Sequence, residues 1–103
     1  MDATLFDIAA EHLKRHTGFS RIESRGTLRI ALKSAGLEPK SLSIDELRVV
    51  FEKLIPGELE TRGVSDAAAV CSAVMDDVTD SPEAAEADRS ENPDDVFRRL
   101  SGA

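Results

Sequence analysis

The sequence predicts an all-α protein, a compact bundle or orthogonal array of four short helices followed by a disordered acidic C-terminal tail. Three observations support this prediction. The chain has 103 residues, the length of one small domain. Its apolar residues recur every three or four positions in runs rich in good helix formers. Capping residues, Gly and Pro separate these runs, so we assign residues 1–79 to a four-helix domain and residues 80–103 to the tail.

The first helix is predicted at residues 4–16. Its apolar residues share one face at the spacing of an amphipathic helix, and Gly18 follows as a terminator. The residues expected on that face are Leu5, Ile8, Ala9, His12 and Leu13.

The second helix is predicted at residues 21–35. Ser20 precedes it and Glu23 follows three positions later, which is the spacing of a capping box. Gly26 lies in the middle of the run and disfavours helix by about 1 kcal/mol relative to Ala. We therefore expect a kink at this glycine or a restart of the helix at Thr27.

The third helix, at residues 44–55, has the clearest start signal in the chain. Ser43 and Glu46 have capping-box spacing, and leucines flank them as in a hydrophobic staple. Pro56–Gly57 is expected to end this helix. The residues predicted on its buried face are Ile44, Leu47, Val50, Phe51 and Leu54.

The fourth helix is predicted at residues 66–78, with Ser65 as its N-cap. A single helical turn is expected before it, at residues 58–62, ending at Gly63. The residues predicted on the buried face of the fourth helix are Ala67, Val70, Cys71, Val74 and Val78.

The tail changes character after Thr79. Residues 80–92 are acidic, contain no large apolar side chain and are predicted to be disordered, because such a segment buries too little surface to offset its ordering entropy. Residues 93–101 carry helix signals, with Pro at the first position, acids in the first turn and arginines in the last. The apolar residues of this short helical element, a candidate docking segment, are Val96, Phe97 and Leu100.

Charge is distributed unevenly along the chain. The net charge is −7, yet residues 1–40 hold seven Lys and Arg against five Asp and Glu, whereas residues 41–103 hold six against fifteen. The single cysteine, Cys71, allows no internal disulfide, and the sequence shows neither a basic, apolar leader nor an apolar run of membrane-spanning length. These features predict a cytoplasmic protein that does not enter a membrane.

Basic residues recur every fourth position in the second predicted helix. Arg21, Arg25, Arg29 and Lys33 therefore lie on consecutive turns, beside the apolar arc of the same helix. Two interpretations follow from this pattern. The basic residues either form a partner-binding surface, or extend over the helix edge and pair with acids of the third helix or the tail.

Other reactive side chains do not form a catalytic or metal-binding motif. His12 and His16 have the four-residue spacing of two metal ligands, but two ligands alone are too few, and His12 falls on the apolar face. Cys71 lies within an apolar stripe and is expected to be a buried, inert thiol. The chain lacks the glycine-rich phosphate loops, the nucleophile elbow and the calcium-binding loop. We therefore expect no cofactor, no metal and no enzymatic activity.

The sequence thus predicts a small module that binds another protein without catalysis. The candidate binding residues are those of the basic stripe and the apolar residues near the C-terminus. The second hypothesis is a nucleic-acid-associated regulator that uses the basic face of the second helix, although the net acidic chain disfavours a duplex binder. An enzyme is the third and weakest alternative.

Overall fold

Every regular element of the chain between residues 4 and 87, which the computed structural model describes, is a helix. The all-α prediction is therefore confirmed. In chain order the elements are α1 (Leu5–Thr17), α2 (Arg21–Ser34), a 3-10 helix (Pro39–Ser41), α3 (Ile44–Lys53), α4 (Ile55–Thr61), α5 (Ala67–Asp80) and α6 (Pro82–Ala87). Within these residues, none of the helices combines the length and hydrophobicity that spanning a bilayer requires.

The core lies between α1 and α5, which pack against each other and against the remaining helices. α1 also contacts α2 and α6, whereas α5 contacts α3, α4 and α6. The core is almost entirely aliphatic, as the lack of Trp and Tyr requires. Its largest fully buried side chains are Phe51, Leu5, Leu13, Leu28, Leu32, Leu42, Leu47, Ile55 and Leu59.

Two capping boxes start helices in the described residues. At α3 the Ser43 hydroxyl accepts the Glu46 N–H at 3.1 Å, and the Glu46 carboxylate accepts the Ser43 N–H at 3.0 Å, as predicted. Thr4 and Asp7 form the same reciprocal pair at α1. At α2 only half of the predicted box forms, because the Ser20 hydroxyl accepts the Glu23 N–H whereas no bond from the Ser20 N–H to the Glu23 side chain forms.

Two interruptions expected from a glycine and a proline do not fall where the sequence placed them. α2 runs without a break through Gly26, since its buried residues on both sides of the glycine anchor one continuous apolar face. Pro56 was expected to end the third helix, but it is the second residue of α4. A proline fits a first helical turn because the N–H that it lacks has no partner there. The predicted helix therefore divides at Leu54 into α3 and α4.

The start of α5 also differs from the prediction. Its N-cap residue is Asp66, in the left-handed conformation with φ of 53°, and no side chain caps the helix. Ser65 is therefore not the cap that its position suggested. Gly63, three residues before Asp66, is also in the left-handed conformation, with φ of 82°. α4 and α5 pack against each other across this short connection.

Helix α6 lies where the composition predicted disorder. The Ser81 hydroxyl accepts the Ala84 N–H at 3.3 Å, and Pro82 occupies the first turn, so a short helix starts there. Ala84 is completely buried against the core. The methyl group of Ala84 is sufficient to fill this site. The segment therefore packs against the core although it contains no large apolar residue. The rest of the predicted tail, residues 88–103, lies outside the described residues.

Candidate functional site

Helix α2 is anchored on one side and exposed on the other. At about 100° per residue, Ile22, Arg29 and Lys33 lie on the arc opposite the buried residues. Ile22 is 85% exposed and Ile30 is 47% exposed, which makes them two of the three exposed large apolar residues in the described chain. The residues that α2 buries are Ser24, Thr27, Leu28, Ala31 and Leu32.

Arg25 belongs to the packing of the fold rather than to the exposed arc. Its Nη1 donates a hydrogen bond of 2.8 Å to Asp7 Oδ1 on α1, and its guanidinium lies 4.9 Å from the centre of the Phe6 ring. The Arg25 guanidinium lowers the pKa of the Asp7 carboxyl below its ordinary value, whereas burial opposes this effect. One member of the predicted stripe is thus an interhelical contact, and its partner is on the first helix instead of the third helix or the tail.

The other three basic residues remain exposed. Arg29 lies 5.4 Å from the centre of the Phe6 ring, which supports its side chain along the helix edge. Arg21 borders a shallow cleft that also contains Asp7 and Glu11. Among residues 4–87, Arg21, Arg29 and Lys33 have no acidic group within ion-pair distance.

The structure therefore changes the composition of the candidate surface. We define the α2 face as Ile22, Arg29, Ile30 and Lys33; Arg21 lies apart from it, beside the cleft that contains Asp7 and Glu11. Ile22 and Ile30 were not among the candidates predicted from the sequence, because those candidates on α2 were chosen by the spacing of basic residues. Their position outside the apolar arc of the helix was the signal that could have identified them. The other candidate residues, Val96, Phe97 and Leu100, lie outside the described residues.

The two histidines contact a carboxylate of α5. His16 Nε2 lies 2.7 Å from Asp77 Oδ2, and His12 Nδ1 lies 3.7 Å from the same oxygen. This hydrogen bond from His16 lowers the pKa of the Asp77 carboxyl. His12 Nδ1 is buried and has no hydrogen-bond partner. In the described part of the chain, no three potential ligands are placed to hold a metal ion.

Cys71 is buried in the core, as predicted, with only 3% of its surface exposed. It lies at the base of a shallow groove of about 320 Å³ between α3 and α5, beside Phe51 and Met75. Burial raises the pKa of its thiol to about 11. A thiol with this pKa stays protonated near neutral pH, so it has little nucleophilic character.

Comparison with known proteins adds no relative. The chain matches no family model, no curated protein and no solved structure. Its function must therefore be argued from the α2 face and its surroundings.

Proposed function

We propose that this protein is a small interaction module, without catalytic activity, whose α2 face binds an acidic, amphipathic segment of another protein. The observation that carries the proposal is the combination of exposed isoleucines and unpaired cations on one helix face. This combination occurs in a chain with a net charge of −7, so the α2 face differs in sign from most of the molecule.

The isoleucines supply most of the affinity expected at this face. Burying a side chain as exposed as Ile22 contributes about 1.5–3 kcal/mol. An exposed ion pair contributes only about 0.2–1 kcal/mol, so Arg29 and Lys33 add less to affinity. Their charges instead orient an approaching acidic segment and increase its association rate. The partner segment should therefore present apolar side chains flanked by Asp or Glu.

The spacing along α2 favours a partner that follows the helix. Ile22 and Ile30 are eight residues apart, which corresponds to about 12 Å along a helix axis at 1.5 Å per residue. A second helix laid alongside α2 covers that length with two to three of its own turns. This is the geometry of an amphipathic helix that docks through residues at helical spacing.

The basic residues are a poor match for nucleic acid. The α2 face places isoleucine side chains between its cations, and it carries none of the Asn or Gln side chains that read base edges. We therefore expect no measurable affinity for a 20-base-pair DNA duplex at about 0.15 M salt, where non-specific electrostatic binding is already weak. Duplex binding that falls steeply with salt and is lost in Arg29→Glu would favour the nucleic-acid hypothesis instead.

The test compares surface variants of the full chain as baits in quantitative affinity capture with chemical cross-linking. The α2 variant is Ile22→Ser with Arg29→Glu. The matched control is Val49→Ser with Lys53→Glu, which makes the same changes at exposed positions of α3. We expect one protein to be retained by the wild type and the control, to be lost with the α2 variant, and to cross-link to Lys33 through an acidic segment.

Two outcomes would contradict the proposed function. In the first, every captured protein is retained equally by the α2 variant and by its control. In the second, retention is lost after nuclease treatment. A circular dichroism spectrum of both variants shows that any lost binding does not come from unfolding.

A further inference from the structure

We propose that Gly26 is the point at which a partner helix crosses α2, and that this partner helix carries one large apolar residue between two small ones. The inference rests on the proposed function, because it specifies the partner segment that the α2 face binds. It follows from three observations: the outward position of Gly26, the order of side-chain sizes around it, and the charges beside it.

Gly26 lies on the outward side of α2, among the residues of the α2 face. At about 100° per residue it falls between Ile22 and Ile30 around the helix, about 40° from each. The residues that α2 buries lie on the opposite side, and Gly26 is partly exposed. A molecule bound to the α2 face therefore contacts this position.

The described fold does not require a glycine at position 26. Apart from the adjacent backbone of its own helix, a Cβ added at Gly26 meets no atom of residues 4–87 within 4 Å. Its φ is not positive, so the backbone conformation does not require glycine either. Glycine is less favourable than alanine inside a helix. Since internal packing does not offset this cost, the missing side chain points to an external contact.

The side chains around Gly26 alternate in size. Ile22 and Ile30 lie one turn to either side of it, each about 6 Å away along the helix axis. Facing helices pack best when a large side chain on one meets a small residue on the other. A small residue at the contact also lets the two helix axes come closer. The complementary partner helix therefore places a large apolar side chain on Gly26 and a small residue opposite each isoleucine.

The unpaired charges beside Gly26 are positive. Arg29 and Lys33 have no acidic group within ion-pair distance among residues 4–87. Glu23, in contrast, already lies 3.9 Å from Arg62 of α4. Both unpaired cations follow Gly26, in the C-terminal half of α2. Because complementary charges guide association, we expect the partner helix to place Asp or Glu beside its large residue.

The test uses a designed helical peptide as the probe, titrated into the isotope-labelled full chain and followed by amide chemical shifts. The peptide carries one leucine between two alanines at four-residue spacing, and glutamates flank this group. Two control peptides replace the leucine by alanine or the glutamates by lysine. We expect the leucine peptide to shift resonances within residues 22–33, and the lysine peptide to leave them unchanged.

Gly26→Ala is the decisive variant, and Gly57→Ala is its matched control. Gly57 is also a helical glycine, in α4, and a Cβ added there likewise meets no atom of residues 4–87 within 4 Å beyond its own helix backbone. Gly26→Ala should weaken binding of the leucine peptide about tenfold, because its methyl group occupies the site of the leucine. Gly57→Ala should bind as tightly as the wild type. The alanine peptide should bind Gly26→Ala and the wild type with similar, weaker affinity, because it places no large side chain on position 26.

Several outcomes would overturn the inference. Equal affinity of the wild type and Gly26→Ala for the leucine peptide is one, and unchanged resonances within residues 22–33 are another. A melting temperature of Gly26→Ala below that of the wild type would show that the fold itself requires the glycine. Shifts within residues 22–33 that depend only on the concentration of the chain would identify a second copy as the occupant instead.

The proposed function and this inference can fail separately. If capture of a partner depends on Ile22 and Arg29 but is unchanged in Gly26→Ala, the α2 face binds a partner that does not cross at the glycine. If the leucine peptide binds and Gly26→Ala weakens it, but no partner is captured, the proposed function fails and the helix contact remains.

Discussion

Arg25 of α2 and Asp7 of α1 are 18 residues apart in sequence, yet Arg25 Nη1 donates a hydrogen bond of 2.8 Å to Asp7 Oδ1. Asp7 also caps α1 through Thr4, so one carboxylate fixes both the start of α1 and its contact with α2. This pair removes Arg25 from the basic stripe, whereas Arg29 and Lys33 have no ion-pair partner among residues 4–87.

The Asp7–Arg25 pair predicts loss of stability in acid. The pKa of Asp7 is lower in the folded chain than in the unfolded chain, so the carboxylate stabilises the fold above about pH 4. This contribution is lost as the pH falls through the lowered pKa. Asp7→Asn should therefore lower the free energy of unfolding at pH 7 and have a smaller effect at pH 3. Urea denaturation at both pH values measures this; the same difference at both, or an equal effect of Glu60→Gln, would contradict it.

The contact between Asp77 and His16 joins α5 to α1. Asp77→Asn should lower the melting temperature at pH 6, because it replaces the charged acceptor for His16 Nε2. The neighbouring Asp76 borders the groove on the other side of α5 and provides a matched control as Asp76→Asn. Differential scanning calorimetry compares the two variants. Equal melting temperatures for both would show that the Asp77 contact does not stabilise the fold.

Phe51 is the largest of the side chains that are less than 2% exposed, with 1% of its surface accessible. Phe51→Ala should lower the free energy of unfolding by about 3–5 kcal/mol, because it removes apolar burial and leaves a cavity. Val49→Ala, on the exposed side of the same helix, should change it by less than about 0.5 kcal/mol. Chemical denaturation followed by circular dichroism tests both. A small effect at Phe51 would contradict the assigned core.

Gly26 and Gly36 should respond to alanine in opposite directions. A methyl group added at Gly26 meets no atom within 4 Å, so Gly26→Ala should stabilise α2 by about 0.5–1 kcal/mol. Gly36 has φ of 73°, in the left-handed region, and Gly36→Ala should destabilise the chain by about 1–2 kcal/mol. Urea denaturation of the two variants gives the comparison. Destabilisation by Gly26→Ala would indicate that the described α2 is wrong at this point.

Cys71 should react with thiol reagents only when the chain unfolds. Its burial and its pKa of about 11 leave little exposed thiolate in the folded chain near neutral pH. Labelling with an aromatic disulfide reagent should therefore be slow in buffer and fast in 6 M urea, whose concentration exceeds the unfolding midpoint of most small domains. Fast labelling in buffer would show that the groove between α3 and α5 opens.

Local patterns were sufficient to predict most of the helices. Apolar spacing located α1, α2, α3 and α5, because a helix that packs on a core must repeat its apolar residues every three to four positions. The capping box at the start of α3 could also be predicted from the sequence, since Ser43 and Glu46 are only three residues apart. The basic stripe could be predicted too, because its residues recur every fourth position. These features depend on residues within a few positions of each other in the sequence.

Tertiary contacts decided the remaining features, because they join residues that are distant in the sequence. Which member of the basic stripe pairs with an acid depended on how α1 lies against α2, and this placed Arg25 on Asp7. Composition predicted disorder at residues 82–87, yet a helix forms there because Ala84 fits against α1 and α5. The exposure of Ile22 and Ile30 likewise depended on which faces the neighbouring helices cover. Local sequence specified the helices, and the packing of distant helices specified which side chains of α2 remain exposed.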